Sequence, residues 1–266
     1  MDDNNDIMYR SIWYGEVDNT IEVEELWDKV NGDINEKDKL LGVIELLKRG
    51  EFSAKAILID IMNKSNDISV INLCMRVFCS VVDHKDIKNV ENLSILSRAD
   101  EEIIRLFAST SKYTLSYEVV PYLLATLEEW EDSNVETTIR DALDWILNYQ
   151  EYMAEDSAVD EIGEFYFDIS SEIETGKYYY EGGLAFPGAL TKELLDASAV
   201  SRVKGESLKL SIIPKMLSIW SGVKCPVEYY TVVNDELMRD VIDYVKQLSD
   251  MNWERGCKYF YGHKID

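Results

Sequence analysis

The chain has 266 residues, 46% of them hydrophobic and 11% aromatic, and its 51 Asp and Glu against 27 Lys and Arg give a net charge of −24 at pH 7. A chain of this length buries about 73% of its unfolded surface on folding, and its apolar content excludes intrinsic disorder. No apolar stretch approaches the ~20 residues of a membrane span, and the charge excludes unaided binding to nucleic acid or an anionic membrane.

The start, Met1 to Asp6, has no basic n-region and no apolar h-region, so no secretory signal is expected and the cytoplasm is the expected compartment. Residues 1–20 are acidic and carry Trp13 and Tyr14. Cys74, Cys79, Cys225 and Cys257 form no Cys-x-x-Cys pair, and reduced, buried thiols are expected.

Four prolines and 13 glycines are too few for a turn-rich β-sandwich, and long helices with short loops are expected. Asn31-Gly32 reads as a turn before the first helix. Two helix hairpins follow, 36–48 with 53–62 and 68–82 with 87–97, Gly50 closing one helix and Ser53 capping the next. Asp100 opens a helix to Ser109 with Glu101 and Glu102 in its first turn. A third hairpin joins 115–130, with Pro121 in an early turn, to 133–149, whose Val135, Ile139, Ala142, Leu143 and Ile146 step by three and four. Ser133 and Glu136 have the spacing of a capping box.

A helix is expected over 158–173, then a loop-rich insertion near 174–190 in which the run Tyr178 to Tyr180 is a short strand or an ordered loop and Pro187-Gly188 is a break. Helices resume at 192–198, 207–220 and 234–249, the last capped by Asn234. The fold class is all-α: an irregular, HEAT-like array of antiparallel helix hairpins over 1–150 and a helical part over 151–266, with one continuous domain as the alternative.

Catalytic signatures are missing. His84, in Asp83-His84-Lys85, reads as a surface loop residue, as does His263. There is no His-Glu-x-x-His, no phosphate-cradling Gly-x-x-x-x-Gly-Lys and no Gly-x-Ser-x-Gly. The run Asp28 to Asp33 fails calcium-loop spacing. No enzyme, cofactor or metal is expected. Paired carboxylates are frequent, but 51 acids generate such pairs by chance.

The charge is unevenly placed. From 100 to 185 there are 21 acids and four bases (Arg105, Lys112, Arg140, Lys177), whereas from 186 onward 11 acids meet 11 bases. Concentrating like charge opposes folding, so it calls for a use beyond solubility. The same third is rich in tyrosine, a side chain favoured at interfaces. A face for a basic partner is therefore expected from Glu128, Glu129, Glu131, Asp132, Asp141, Asp144, Tyr152, Glu155, Asp156, Asp160, Glu161, Glu164, Tyr178, Tyr179 and Tyr180. The competing reading makes the carboxylates solvated helix faces and the aromatics core, and leaves a scaffold that binds a partner through the near-neutral carboxy-terminal part.

Acidity, size, helix pattern and the missing catalytic motifs together resemble the immunity proteins of bacterial polymorphic and contact-dependent toxin systems. The resemblance spans the whole chain without a diagnostic motif. It implies a cytosolic inhibitor of one cognate basic toxin domain, a nuclease being the partner class whose cationic cleft suits carboxylates, with no direct contact to nucleic acid or membrane.

Overall fold

A computed structural model describes Val17 and residues 20–266, and Trp13 and Tyr14 lie outside the described residues. Among the described residues the first helix, α1 (Val23–Asn31), buries Leu26 and Val30 and stops at Gly32; only the turn at its end is expected from the sequence. In α2 (Glu36–Lys48) the Asn35 side chain accepts the Asp38 N–H at 2.9 Å. A 3-10 turn (Phe52–Ala54) leads into α3 (Lys55–Lys64). Asp67 caps α4 (Ile68–Val81), which is buried along most of its length because every face meets another element.

The expected helix over 87–97 does not form. Its place is taken by the short α5 (His84–Lys88), with a capping box between Asp83 and Asp86, and by a 3-10 stretch (Val90–Arg98) kinked at Leu93. Side-chain amides compete with helical hydrogen bonding there: Asn89 accepts from the Glu91 N–H, Asn63 accepts from the Ile95 N–H, and Asn92 donates to the Asp86 carbonyl.

Asp100 caps α6 (Glu101–Ser111). Leu115 adopts a left-handed conformation and Ser116 caps a 3-10 turn, so α7 (Val120–Glu129) starts later than its apolar spacing suggests, with Pro121 in the first turn. The following helix, α8 (Glu136–Leu147), lacks the expected capping box. Glu136 instead accepts the Asp132 N–H at 2.8 Å and the Arg140 Nε–H at 2.7 Å, which occupies the carboxylate that the box needs. α9 (Val159–Glu172) follows the predicted span closely and buries only Ile162 fully.

The insertion contains a two-stranded hairpin, β1 (Tyr179–Tyr180) and β2 (Gly183–Leu184), whose turn residues Glu181 and Gly182 both have positive φ. Pro187-Gly188 is not a break but the start of α10 (Pro187–Lys204), where the missing proline N–H has no helical acceptor to lose. Residues 207–212 run extended, with Ser207 bridging to Val232, and α11 (Ile213–Ser221) starts only at Pro214's turn. Asn234 caps α12 (Asp235–Ser249) as read from the sequence. A closing hairpin, β3 (Lys258–Phe260) with β4 (His263–Ile265), was not anticipated.

One cluster of buried apolar side chains runs from Leu26 to Ile265, and all four thiols are free and buried. The closing hairpin enters this cluster through Tyr259, Phe260 and Ile265 and is tied to α11 by backbone bonds from Tyr261 to Ile219 and from Gly262 to Trp220. Lys258, 0% exposed, donates from Nζ to the carbonyls of Cys79 at 2.8 Å and Val82 at 3.0 Å, closing the carboxyl end of α4. Burial pushes its pKa down to about 7.

His84, expected on the surface, is half-buried: its ring stacks on Tyr178 at 4.3 Å and its Nδ1 lies 2.7 Å from Ser116 Oγ. Among the described residues no helix is long and apolar enough to cross a membrane.

Candidate partner-binding site

The acidic third of the chain resolves into three places. The first is a groove of about 690 Å³ between α7 and α9. Helix α7 turns Val120, Leu123 and Leu127 into the core, which leaves Leu124 and Glu128 on its outer flank. Helix α9 lies on the surface and presents Val159 and Gly163 to the floor, Phe167 at 73% exposure to the edge, and Asp160, Glu164 and Asp168 to the rim. Glu128, Asp160 and Glu164, three of the anticipated residues, thus share one feature. Glu161 does not join them, because its carboxylate accepts the Ala158 N–H at 3.1 Å and closes the helix start.

The second place is a cleft of about 620 Å³ between α8, α10 and the extended segment after α10. It gathers Asp141, Asp144 and Tyr180 from the anticipated set with Glu181 and Glu193, and Lys112 and Lys209 also line it. Burial first, and then the Glu181 charge, raises the Glu193 carboxyl pKa above its ordinary value. Tyr180 is pushed upward by burial and by the same two carboxylates, with the edge of its ring pair to Trp145 at 5.4 Å. Asp144 is partly engaged in structure, accepting the Gln150 N–H at 2.8 Å.

The third is a knot around Arg140, which is 6% exposed. Its guanidinium donates to Glu136 at 2.7 Å and to the carbonyls of Ser157 at 2.9 Å and Glu155 at 3.2 Å, with Glu131 at 3.8 Å. Tyr149 donates to the same Glu155 carbonyl at 3.0 Å. The knot holds a surface turn from which the side chains of Glu155 and Asp156 project, next to Tyr152, whose ring is 70% exposed and 5.2 Å from Phe165. Glu129, the last residue of α7, and Asp132, on the turn between α7 and α8, are exposed.

The tyrosine run divides. Tyr178, expected on the binding face, is instead 4% exposed and stacked on His84, which leaves it almost no surface to offer a partner. Tyr179 is half-buried, and its hydroxyl accepts the Glu174 N–H at 2.8 Å. Of the three, Tyr180 alone reaches a cleft.

Leu124, Gly163, Phe167, Asp168, Glu181 and Glu193 lie outside the set of binding residues expected from the sequence. Asp168 was accessible to that reading, since it continues the i, i+4 spacing of Asp160 and Glu164. Glu193 was not, because only tertiary packing brings α10 against the β1–β2 turn. Among the described residues, no group of three or more His, Cys, Asp or Glu side chains is arranged to hold a metal ion.

No curated protein and no solved structure matches the chain. A model of the family described as Immunity protein 47 matches residues 8–265. All-α in fold and with a net charge of −24, the chain belongs to the Immunity protein 47 family, and its role is that of an immunity protein, binding and neutralising a cognate toxin.

Proposed function

We propose that the chain acts in the cytoplasm on a basic toxin domain, specifically a nuclease, and blocks its active site with the acidic surface carried by α7, α8 and α9. The observation that carries this reading is that α7 and α9, whose outer flanks form one groove, hold two and five carboxylates respectively and no Lys or Arg. A nuclease cleft is cationic because it must attract phosphates. A carboxylate surface competes for that cleft, speeds encounter through long-range attraction, and is released slowly once its charge pairs are desolvated.

The test is rescue of growth in a bacterial host expressing members of a panel of basic nuclease toxin domains, followed by affinity measurements on a rescued pair between 50 and 300 mM NaCl. Rescue of one nuclease is expected, with affinity falling at least tenfold over that range. Reversing Glu128, Glu129, Asp132, Asp141 and Asp144 in one variant, and Glu155, Asp156, Asp160 and Glu164 in another, is expected to weaken binding. Unchanged affinity in both variants rules out this face. Rescue only from toxins that do not cleave nucleic acid rules out the nuclease.

A scaffold role is the second reading, favoured by Val203 at 80% and Tyr230 at 84% exposure in the near-neutral carboxy-terminal part. It predicts binding that is indifferent to salt.

A further inference from the structure

We infer that the groove between α7 and α9 is a docking slot for one amphipathic, cationic helix of the partner, which seats an apolar side chain over Gly163 and aligns Lys or Arg residues with Asp160, Glu164 and Asp168. The inference rests on the toxin-neutralising reading and gives that reading a contact.

Two parallel stripes run along α9. Val159, Gly163 and Phe167 form one, and Asp160, Glu164 and Asp168 form the next, both at i, i+4, i+8. Each stripe has a pitch of about 6 Å and a length of about 12 Å, which is the spacing of side chains four apart on a second helix lying alongside.

The floor is open because Gly163 has no side chain. A Cβ built there meets only Leu124 Cδ1, at 3.9 Å, so an incoming side chain finds contact below it and space around it. Phe167, one turn farther, stands 73% exposed beside that opening, where a large apolar ring gains nothing from solvent.

The rim determines the charge of the occupant. Asp160, Glu164 and Asp168 repel one another along one helix face, and Glu128 adds a fourth carboxylate from α7. Among the described residues, none of the four takes part in an ion pair. An acidic or neutral segment leaves that repulsion in place, and a second copy of a chain with net charge −24 adds to it. A cationic helix relieves it while burying the apolar stripe, the mode in which an amphipathic helix lies in a groove through anchors at i, i+3 or i+4.

The test uses the full chain and a fluorescein-labelled 18-residue helix with Leu on one face and Lys on the other, followed by anisotropy. Comparison peptides replace Lys by Gln, or Leu by Ser. The Leu/Lys helix is expected to bind the wild-type chain at least tenfold more tightly than either comparison peptide. Gly163→Leu, which fills the opening, and Glu164→Lys with Asp168→Lys, which reverses the rim, are each expected to weaken it at least tenfold. Asp240→Lys with Asp250→Lys, exposed on the carboxy-terminal part and outside the acidic surface, is expected to leave it unchanged, and far-UV circular dichroism checks that every variant is folded.

Equal binding by the wild-type chain and Gly163→Leu, or equal binding of the Ser/Lys peptide, overturns the slot. With a toxin that the wild-type chain neutralises, rescue undiminished in Gly163→Leu also overturns the slot while the neutralising reading stands. Failure of the wild-type chain against every toxin overturns that reading instead, and groove-dependent peptide binding then still supports the slot.

Discussion

Lys258→Met removes the two donors that close α4 while keeping most of the side-chain volume. The carbonyls of Cys79 and Val82 lose hydrogen bonds of 2.8 and 3.0 Å inside the core, a loss of roughly 2–4 kcal/mol for two buried acceptors. The amine itself is costly to bury as an ammonium, which is why its pKa falls to about 7. Neutral, it has two N–H groups for two carbonyls.

Between about pH 7 and its unfolded pKa of about 10.4, the unfolded chain therefore holds a proton at Lys258 that the folded chain lacks. Stability gained from this site rises with pH across that window, by roughly 1.4 kcal/mol per unit at most. Below about pH 7 both states are protonated and the slope vanishes. The thiols of Cys74, Cys79 and Cys225 are all pushed up by burial and give the opposite slope above about pH 8.5, but they do so in both proteins.

Urea unfolding of wild type and variant, followed by tryptophan fluorescence at pH 6.5, 7.5 and 8.5, isolates the difference. The stability gap is expected to widen by about 1–2 kcal/mol from pH 6.5 to 8.5. A gap that stays constant or narrows means that the amine is charged throughout, and refutes the reasoning.

Arg140→Met is expected to cost about 2–3 kcal/mol in urea denaturation, less than a fully buried pair because Glu136 is 24% exposed, and to open 152–156 to limited proteolysis. His84 is less basic than an ordinary histidine, through burial first and the Lys258 charge next. The unfolded state therefore takes up its proton first as pH falls below about 6.5, and stability drops. In His84→Phe, which keeps a ring against Tyr178, the loss of Tm between pH 7 and 5 should shrink. Gly222 has φ +71, and a Cβ there would lie 2.8 Å from Tyr261 Cδ1, whereas Gly205, φ +68, has nothing within 4 Å. Gly222→Ala is expected to lower stability by about 2–3 kcal/mol and Gly205→Ala by about 1 kcal/mol, compared by thermal unfolding.

Where a helix is punctuated by its own neighbours, the sequence is legible: Asn35 before α2, Asp100 before α6 and Asn234 before α12 each cap the helix they precede. Pro187 reads as an interruption but stands in the first turn of α10, and Pro214, inside the expected helix 207–220, instead stands in the first turn of α11. The capping box at Ser133 failed for a tertiary reason, the claim of Arg140 on Glu136. The closing hairpin was hidden because nothing local to Lys258 announces a partner 179 residues away. At the candidate site, the carboxylates were visible one by one, but the groove that unites Glu128 with Asp160 and Glu164 exists only once α7 and α9 pack together. Tyr178 shows the converse: a tyrosine in a polar, glycine-flanked run reads as surface, yet it is buried against His84.

The bond from Lys258 to the end of α4 also has a kinetic meaning. Closing a loop of 179 residues carries a length-dependent entropy of about 4–5 kcal/mol, whereas neighbouring helices such as α7 and α8 meet across a few residues. Local helix pairs therefore assemble quickly, and the closing hairpin docks late. Without that docking, the carbonyls of Cys79 and Val82 at the end of α4 lack their lysine donor.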